Sequence, residues 1–276
     1  MERRPVRFVH AFVLVVSVVF FLEGNIGGGE RAAGGAPAAG SGASASSPSS
    51  PSKKFSSARA SAPAQEASDG VFGKISLSGP VPKLAARPVN ADAAVCGRTD
   101  RPSPSLVLSK DKGLANAVVW LEGAKGLAPP KGPFRLDQKN CLFTPYVQIV
   151  SKGAPVVFGN SDAVLHNVHA ATAGSALIFN RAIPIKGQTF TETFSETGIV
   201  RVKCDVHTWM TAWLFVADTV YAAVSDAEGR YAFPGVPPGT YRLRAWHEIL
   251  GEKSQPVTVP ASGAARADVV LTLLDG

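Results

Sequence analysis

From Gly70 onward, short runs rich in Val, Ile, Phe and Thr recur between clusters of Gly, Pro and Asp or Asn. They span 72–77, 117–121, 146–150, 155–158, 189–194, 199–204, 212–216, 221–225, 230–233, 241–246 and 267–273. Branched and aromatic side chains suit a pleated, half-buried surface. Evenly spaced turn signals between such runs point to sandwiches or Greek-key barrels, so the expected fold class is all-β. No amphipathic helix stands out, and 170–178 is the least legible stretch. With 45% apolar residues in 276, the chain can bury a core in one or two domains.

The first residues read differently. Arg3, Arg4 and Arg7 precede an apolar run over 11–22, broken only by Ser17. A cationic flank and a short apolar core fit an export signal, whereas a spanning helix needs about 20 apolar residues. Carrying the run back to Phe8 crosses His10, which leaves an uncleaved signal anchor as the second reading of 1–23. Residues 24–68 are Gly, Ala, Ser and Pro with few large apolar side chains. Such a segment cannot bury enough surface to offset its ordering entropy. It reads as a disordered linker with a root-mean-square span of roughly 35–40 Å. The expected location is outside the cytoplasm, in a periplasm or cell envelope, with the leader as a membrane tether if it is retained.

The net charge of +7 does not point to nucleic acid. The lysines and arginines are scattered, and no basic stripe is interleaved with aromatics.

The chain has three cysteines. In an exported protein an odd count implies one pair and one thiol left over. Cys204 is the natural leftover, because potential metal ligands surround it. Cys96 and Cys141 are then the expected disulfide, worth roughly 4 kcal/mol in the chain-entropy model. Two separate buried thiols are the alternative.

The potential ligands come from two segments. Residues 202–210 read Val-Lys-Cys-Asp-Val-His-Thr-Trp-Met, and 165–169 read Leu-His-Asn-Val-His. Cys204, His166, His207 and Met210 offer a thiolate, two imidazoles and a thioether. That is the ligand set of a mononuclear blue-copper electron-transfer site. Side chains alternate along a strand, so Val200, Val202 and Cys204 share one face and Arg201 and Lys203 the other. Cys204 then points inward at a strand end, with His207 and Met210 on the loop that follows. His169 lies three residues after His166, so a strand aims it to the opposite face. It reads as a surface or hydrogen-bonded histidine, and His247 as a structural one. Core packing accounts for Trp213, and Trp209 either covers the metal or lines a docking patch.

These motifs resemble the cupredoxin family, with the short ligand-loop spacing of amicyanins, over about residues 143–218. The resemblance implies copper ligation by His166, Cys204, His207 and Met210, with Asn167 hydrogen-bonded across to the cysteine loop. Phe194 and Gly198 match the family's lead into its last core strand. The resemblance also implies that His207 reaches the surface inside an apolar patch, where electrons enter. Thr208-Trp209 departs from the proline usual after the second histidine.

The tail resembles the carboxypeptidase regulatory-like, transthyretin-like sandwich. It carries 224–233, with a hairpin turn at Asp226 and Gly229, and 236–243, with another at Pro238-Gly239. Residues 219–276 are short for that fold, and its opening strands are missing there. Residues 73–77 and 116–121 look like those strands. The expectation is therefore a β segment at 69–142 that begins a discontinuous sandwich, into which a copper domain at 143–218 is inserted.

No nucleophile elbow, phosphate loop, zinc-protease helix or haem motif occurs, so the chain does not read as an enzyme. The leading expectation is a one-electron carrier with a redox partner such as an envelope cytochrome. Copper storage or delivery and a surface structural module are the alternatives.

Overall fold

A computed structural model describes residues 69–124 and 129–273. The leader and linker expected over 1–68 lie outside the described residues. Among those described, the chain forms seventeen strands and one four-residue helix. No helix there is long and apolar enough to cross a membrane. In chain order the first elements are β1 (Gly70–Leu77), α1 (Ala93–Cys96), β2 (Val118–Glu122), β3 (Phe134–Lys139), β4 (Leu142–Thr144) and β5 (Val147–Ser151). Then come β6 (Pro155–Asn160), β7 (His166–Thr172), β8 (Leu177–Ile183), β9 (Thr189–Thr193), β10 (Gly198–Lys203) and β11 (Thr211–Ala217). The last are β12 (Ala222–Val224), β13 (Arg230–Phe233), β14 (Gly239–His247), β15 (Gly251–Val259), β16 (Ala264–Arg266) and β17 (Val269–Leu271).

The strands make four sheets. One has the order β5-β11-β10-β7-β8 and another β4-β3-β6-β9. Between them lies a core of Leu136, Phe158, Val168, Val202, Leu214 and their neighbours. A second pair of sheets, β12-β2-β14-β15 and β13-β1-β16 with β17 beside β1, encloses Ile75, Leu121, Tyr231, Phe233 and Leu243. A third cluster fills the space between the two sandwiches: Val118, Trp120, Val147, Phe215, Trp213 and Trp246.

The two inner sheets are thus apolar on both faces, and the sequence of their middle strands follows from that. On β11, Ala212, Leu214 and Val216 face the first core, while Trp213, Phe215 and Ala217 face the junction. On β2, Val119 and Leu121 face the second core, and Val118 and Trp120 the junction. A strand covered on both sides reads as a continuous apolar run rather than an alternating one. Trp213, read as a packing residue, packs in the junction, where it meets Trp246 edge-to-face at 5.0 Å.

Pairing ties together distant parts of the chain. β1 pairs with β13, β16 and β17, and β2 with β12 and β14. Strands from 70–122 and from 222–271 therefore share the same two sheets. β3 pairs with β4 and β6, so the sheet under the metal-site half begins at Phe134, ahead of residue 143.

Two turn expectations are corrected. The Asp226–Gly229 turn does close, with Gly229 N–H donating to the Asp226 carbonyl at 2.9 Å. It is not a hairpin, because β12 before it pairs with β2 and β13 after it pairs with β1. The loop at Pro238-Gly239 likewise crosses from β13 in one sheet to β14 in the other. Both turns bridge layers, since β1 and β2 already hold the positions a hairpin partner would take. Residues 78–117, inside the span read as a β segment, hold only isolated bridges and α1. Polar, proline-rich chain of this kind has too few alternating apolar positions to pair along its length.

Gly229 sits at φ +81, where a Cβ would lie 2.3 Å from the Ile75 carbonyl oxygen and 2.6 Å from the Leu114 nitrogen. We expect Gly229→Ala to lower stability by about 2 kcal/mol or more, read from urea unfolding, because backbone rather than a pliable side chain must give way.

His247 ends β14 almost fully buried, with Ile249 N–H donating to its Nδ1 at 3.3 Å. Burial holds its pKa at about 4, below the ordinary 6.5. The unfolded chain binds this proton more readily, so the neutral ring stabilises the fold fully above pH 6.5 and progressively less toward pH 4. The loss should total about 3 kcal/mol. His247→Asn, which keeps an acceptor, should flatten this part of the stability-against-pH curve.

Candidate metal centre

The site forms where β7 begins and β10 ends. Val200 and Val202 anchor β10 in the core. Cys204, one residue past the strand, is 1% exposed. The loop after it is closed by its own backbone: Met210 N–H donates to the His207 carbonyl at 2.8 Å, and Cys204 N–H donates to the Met210 carbonyl at 3.2 Å. That closure turns the chain tightly enough to return His207 to the cysteine. β7 pairs antiparallel with β10, which brings His166, at the start of β7, to the same end.

His166, Cys204 and His207 form a buried group whose donor atoms converge. Cys204 Sγ lies 3.6 Å from His207 Nδ1 and 3.9 Å from His166 Nδ1. The two Nδ1 atoms are 2.9 Å apart. Met210 is fully buried in the apolar core that also holds Cys204.

Two carboxylates decide what those nitrogens can do. His166 Nε2 faces Asp162 Oδ2 at 3.1 Å, and His207 Nε2 faces Asp92 Oδ2 at 2.9 Å. A carboxylate only accepts, so each Nε2 carries the proton and each Nδ1 presents a lone pair. Two lone pairs at this separation, beside a sulfur and away from water, repel unless a cation lies between them. Histidine ligands to metals commonly give their outer N–H to a carboxylate in this way. The donor set and its surroundings therefore fit a bound metal ion. Burial lowers the pKa of His166, with Asp162 acting against it, and burial raises that of the Cys204 thiol. Both effects favour the neutral forms of His166 and Cys204 in the metal-free site.

Asp162 is itself fixed. It accepts from the backbone N–H of Asn140 and of Cys141, each at 2.8 Å. Cys141 is joined to Cys96 with an S–S distance of 2.02 Å, and Cys204 is the free thiol.

Asn167 spans the gap to the cysteine loop. Its Oδ1 accepts from Asp205 N–H at 2.6 Å and from the Cys204 thiol at 3.3 Å. His169 lies on the other face and hydrogen-bonds Asp205 at 2.9 Å, outside the donor group. Desolvation raises the Asp205 pKa, but hydrogen bonds from His169, Lys203, Asn180 and Asn167 outweigh it and hold the carboxyl well below the usual range.

One expectation is overturned. His207 does not reach the surface; it is fully buried. Asp92 covers its Nε2, and the Trp209 ring packs against it at 4.9 Å between centroids. Trp209 is 3% exposed, with its Nε1–H bound to the Cys141 carbonyl at 3.0 Å, so it covers the histidine and lines no docking patch. The cause is a strap from outside the 143–218 stretch. Val89 and Ala91 pack on the core, and Arg87 Nη1 donates to the Trp209 carbonyl at 3.0 Å.

Asp92 and Asp162 escaped the sequence reading. Asp162 left a faint signal, four residues before His166 in Asn-Ser-Asp. Asp92 left none, since it reaches His207 across 115 positions.

The carboxypeptidase regulatory-like domain family matches residues 212–272, from β11 to the end of the last described strand. The sequence matches no curated protein. Among solved structures, a purple cupredoxin from Nitrosopumilus maritimus aligns at 21% identity and a TM-score of 0.28, over 30% of this chain and 99% of that one. A reduced Cu(I) form of an amicyanin mutant at pH 4 aligns at 23% and 0.29, over 36% of this chain and 98% of that one. An oxidized amicyanin mutant aligns at 25% and 0.27, over 33% and 97%.

Buried and held in its neutral form, Cys204 should react with iodoacetamide far more slowly in the folded metal-free protein than in urea. Mass spectrometry over a time course reads this directly, and equal rates in the two states would contradict the described burial.

Proposed function

We propose that this chain is an exported type 1 copper protein that carries single electrons in a cell envelope. The observation that carries the reading is the convergence of Cys204 with two histidine Nδ1 atoms whose outer nitrogens are tied to carboxylates. Copper bound there would supply a centre that cycles between Cu(I) and Cu(II). Cys204 would give the thiolate, His166 and His207 the two nitrogens, and Met210 a weakly held thioether sulfur.

The protein's part is to hold these donors still. His166 begins a strand paired on both sides, and the loop of Cys204 and His207 is closed by its own backbone. Rigid donors keep the geometry constant between the two oxidation states, which lowers the reorganisation each electron must drive. The core around Cys204 and Met210 excludes water and lowers the local dielectric. We read the copper module as inserted into a discontinuous transthyretin-like sandwich, whose strands precede and follow it in the chain. Leu165 and Val206, each one residue before a histidine, put exposed apolar surface next to the site. A redox protein such as an envelope cytochrome would dock there through a small transient interface.

The burial of His207 favours a second reading, copper held without electron exchange, as in storage. Adding copper(II) to the purified protein should give an intense blue colour from the thiolate-to-copper transition. Cys204→Ser should abolish it, and Met210→Leu should retain the metal but shift the reduction potential. A colourless protein that takes up no copper would refute both readings. Uptake with no exchange to a cytochrome at any ionic strength would decide for storage.

A further inference from the structure

Asp92 carries a set of features that its own helix does not explain. It stands at the N-cap of α1, where an aspartate side chain ordinarily accepts from the next backbone N–H groups. Here the side chain makes no such bond. Its backbone is in the left-handed region, φ 49 and ψ 39, a costly conformation that aspartate tolerates better than most residues. The carboxylate forgoes the cap and takes His207 Nε2 at 2.9 Å instead.

The segment that brings it there is fastened at several points. Arg87 Nη1 donates to the Trp209 carbonyl at 3.0 Å, and Nη2 of the same guanidinium donates to Ser105 Oγ at 2.5 Å. Val89 and Ala91 lie on the core. Cys96, four residues after Asp92, is bonded to Cys141. Cys141 in turn serves both histidines: its N–H bonds Asp162, which holds His166, and its carbonyl takes Trp209, which packs on His207.

We propose that Asp92 is a positioning residue of the metal centre, delivered by the disulfide-fastened strap, which fixes the His207 ring through Nε2 and closes that ring edge to solvent and redox partners. The proposal rests on reading the site as a copper centre. Three consequences follow from the chemistry. The bond orients Nδ1 toward Cys204 before any metal arrives. The carboxylate's negative charge favours the more highly charged oxidised metal, so it lowers the reduction potential. With the loop histidine capped, electrons cross at another edge of the site.

Three variants of the full chain separate these effects. Asp92→Ala removes bond and charge, Asp92→Asn keeps an acceptor without charge, and Asp92→Glu restores both. In the metal-free protein, nitrogen NMR should show His207 locked with its proton on Nε2, and diethyl pyrocarbonate should modify it slowly. In Asp92→Ala the lock should be lost and modification should quicken about tenfold or more. Copper affinity should drop about 10–100-fold, the loss usual for a partner of a metal-bound histidine. The potential should rise in both Asp92→Ala and Asp92→Asn, electron self-exchange should quicken only in Asp92→Ala, and Asp92→Glu should restore wild-type behaviour.

An unchanged His207 tautomer and modification rate in Asp92→Ala would overturn the proposal. So would an unchanged potential in Asp92→Asn, which keeps the acceptor and so tests the charge even if the alanine variant unfolds. If the wild type takes up no copper, the copper reading fails, while the metal-free NMR and modification rates still decide whether Asp92 positions His207.

Discussion

Two imidazole nitrogens with their lone pairs turned toward one another, in a space without water, make an arrangement that has to be enforced. Here the outer nitrogens enforce it. Asp162 and Asp92 each accept a hydrogen bond from an Nε2–H, which leaves the Nδ1 atoms 2.9 Å apart and aimed at the space beside Cys204. Buried polar groups demand partners, and the histidines find theirs on the far side of each ring. The inner side is left with electron density that suits a metal ion. The rest of the molecule is arranged so that both carboxylates arrive.

Asp162 arrives locally, in the turn between β6 and β7, held by two backbone N–H groups. Asp92 arrives from a segment that lies between two strands of the other sandwich, β1 and β2. That segment leaves β1, crosses to the metal end and returns to β2. The disulfide at Cys96 fastens the excursion where it contributes to the site. One half of the molecule thus lends a side chain to the chemistry of the other.

The two halves are joined by more than this strap. β11 gives Leu214 and its neighbours to one core and Trp213 and Phe215 to the junction. Tyr146 hydrogen-bonds Glu248 across the same junction. The family match to residues 212–272 starts on β11, so the strand that follows the metal loop is also the first strand of the matched stretch. Movement of one sandwich against the other would disturb both sheets, which gives the metal loop a stiff base.

Much of this was readable in the chain. The all-β class followed from short branched and aromatic runs between turn residues. The meeting of Cys204 with His207 followed from a three-residue spacing at a strand end, whereas His166 was legible only as part of the donor set and its arrival depends on the pairing of β7 with β10. β7 and β8 were harder to see: β7 carries donors and polar residues on both faces, and β8 is an edge strand with most of its side chains exposed. The turns at Gly229 and Gly239 were visible as turns, but which sheets they join depends on where β1 and β2 pair.

By itself the sequence determined what acts over a few residues: alternation, turn chemistry and the close spacing of soft ligands. Only the tertiary structure decided that the loop histidine is buried and that an aspartate 115 positions away holds it. The reason is physical: local preferences extend over a turn or a strand, whereas a contact across two sandwiches exists only once both cores have packed and the strap between them is fixed.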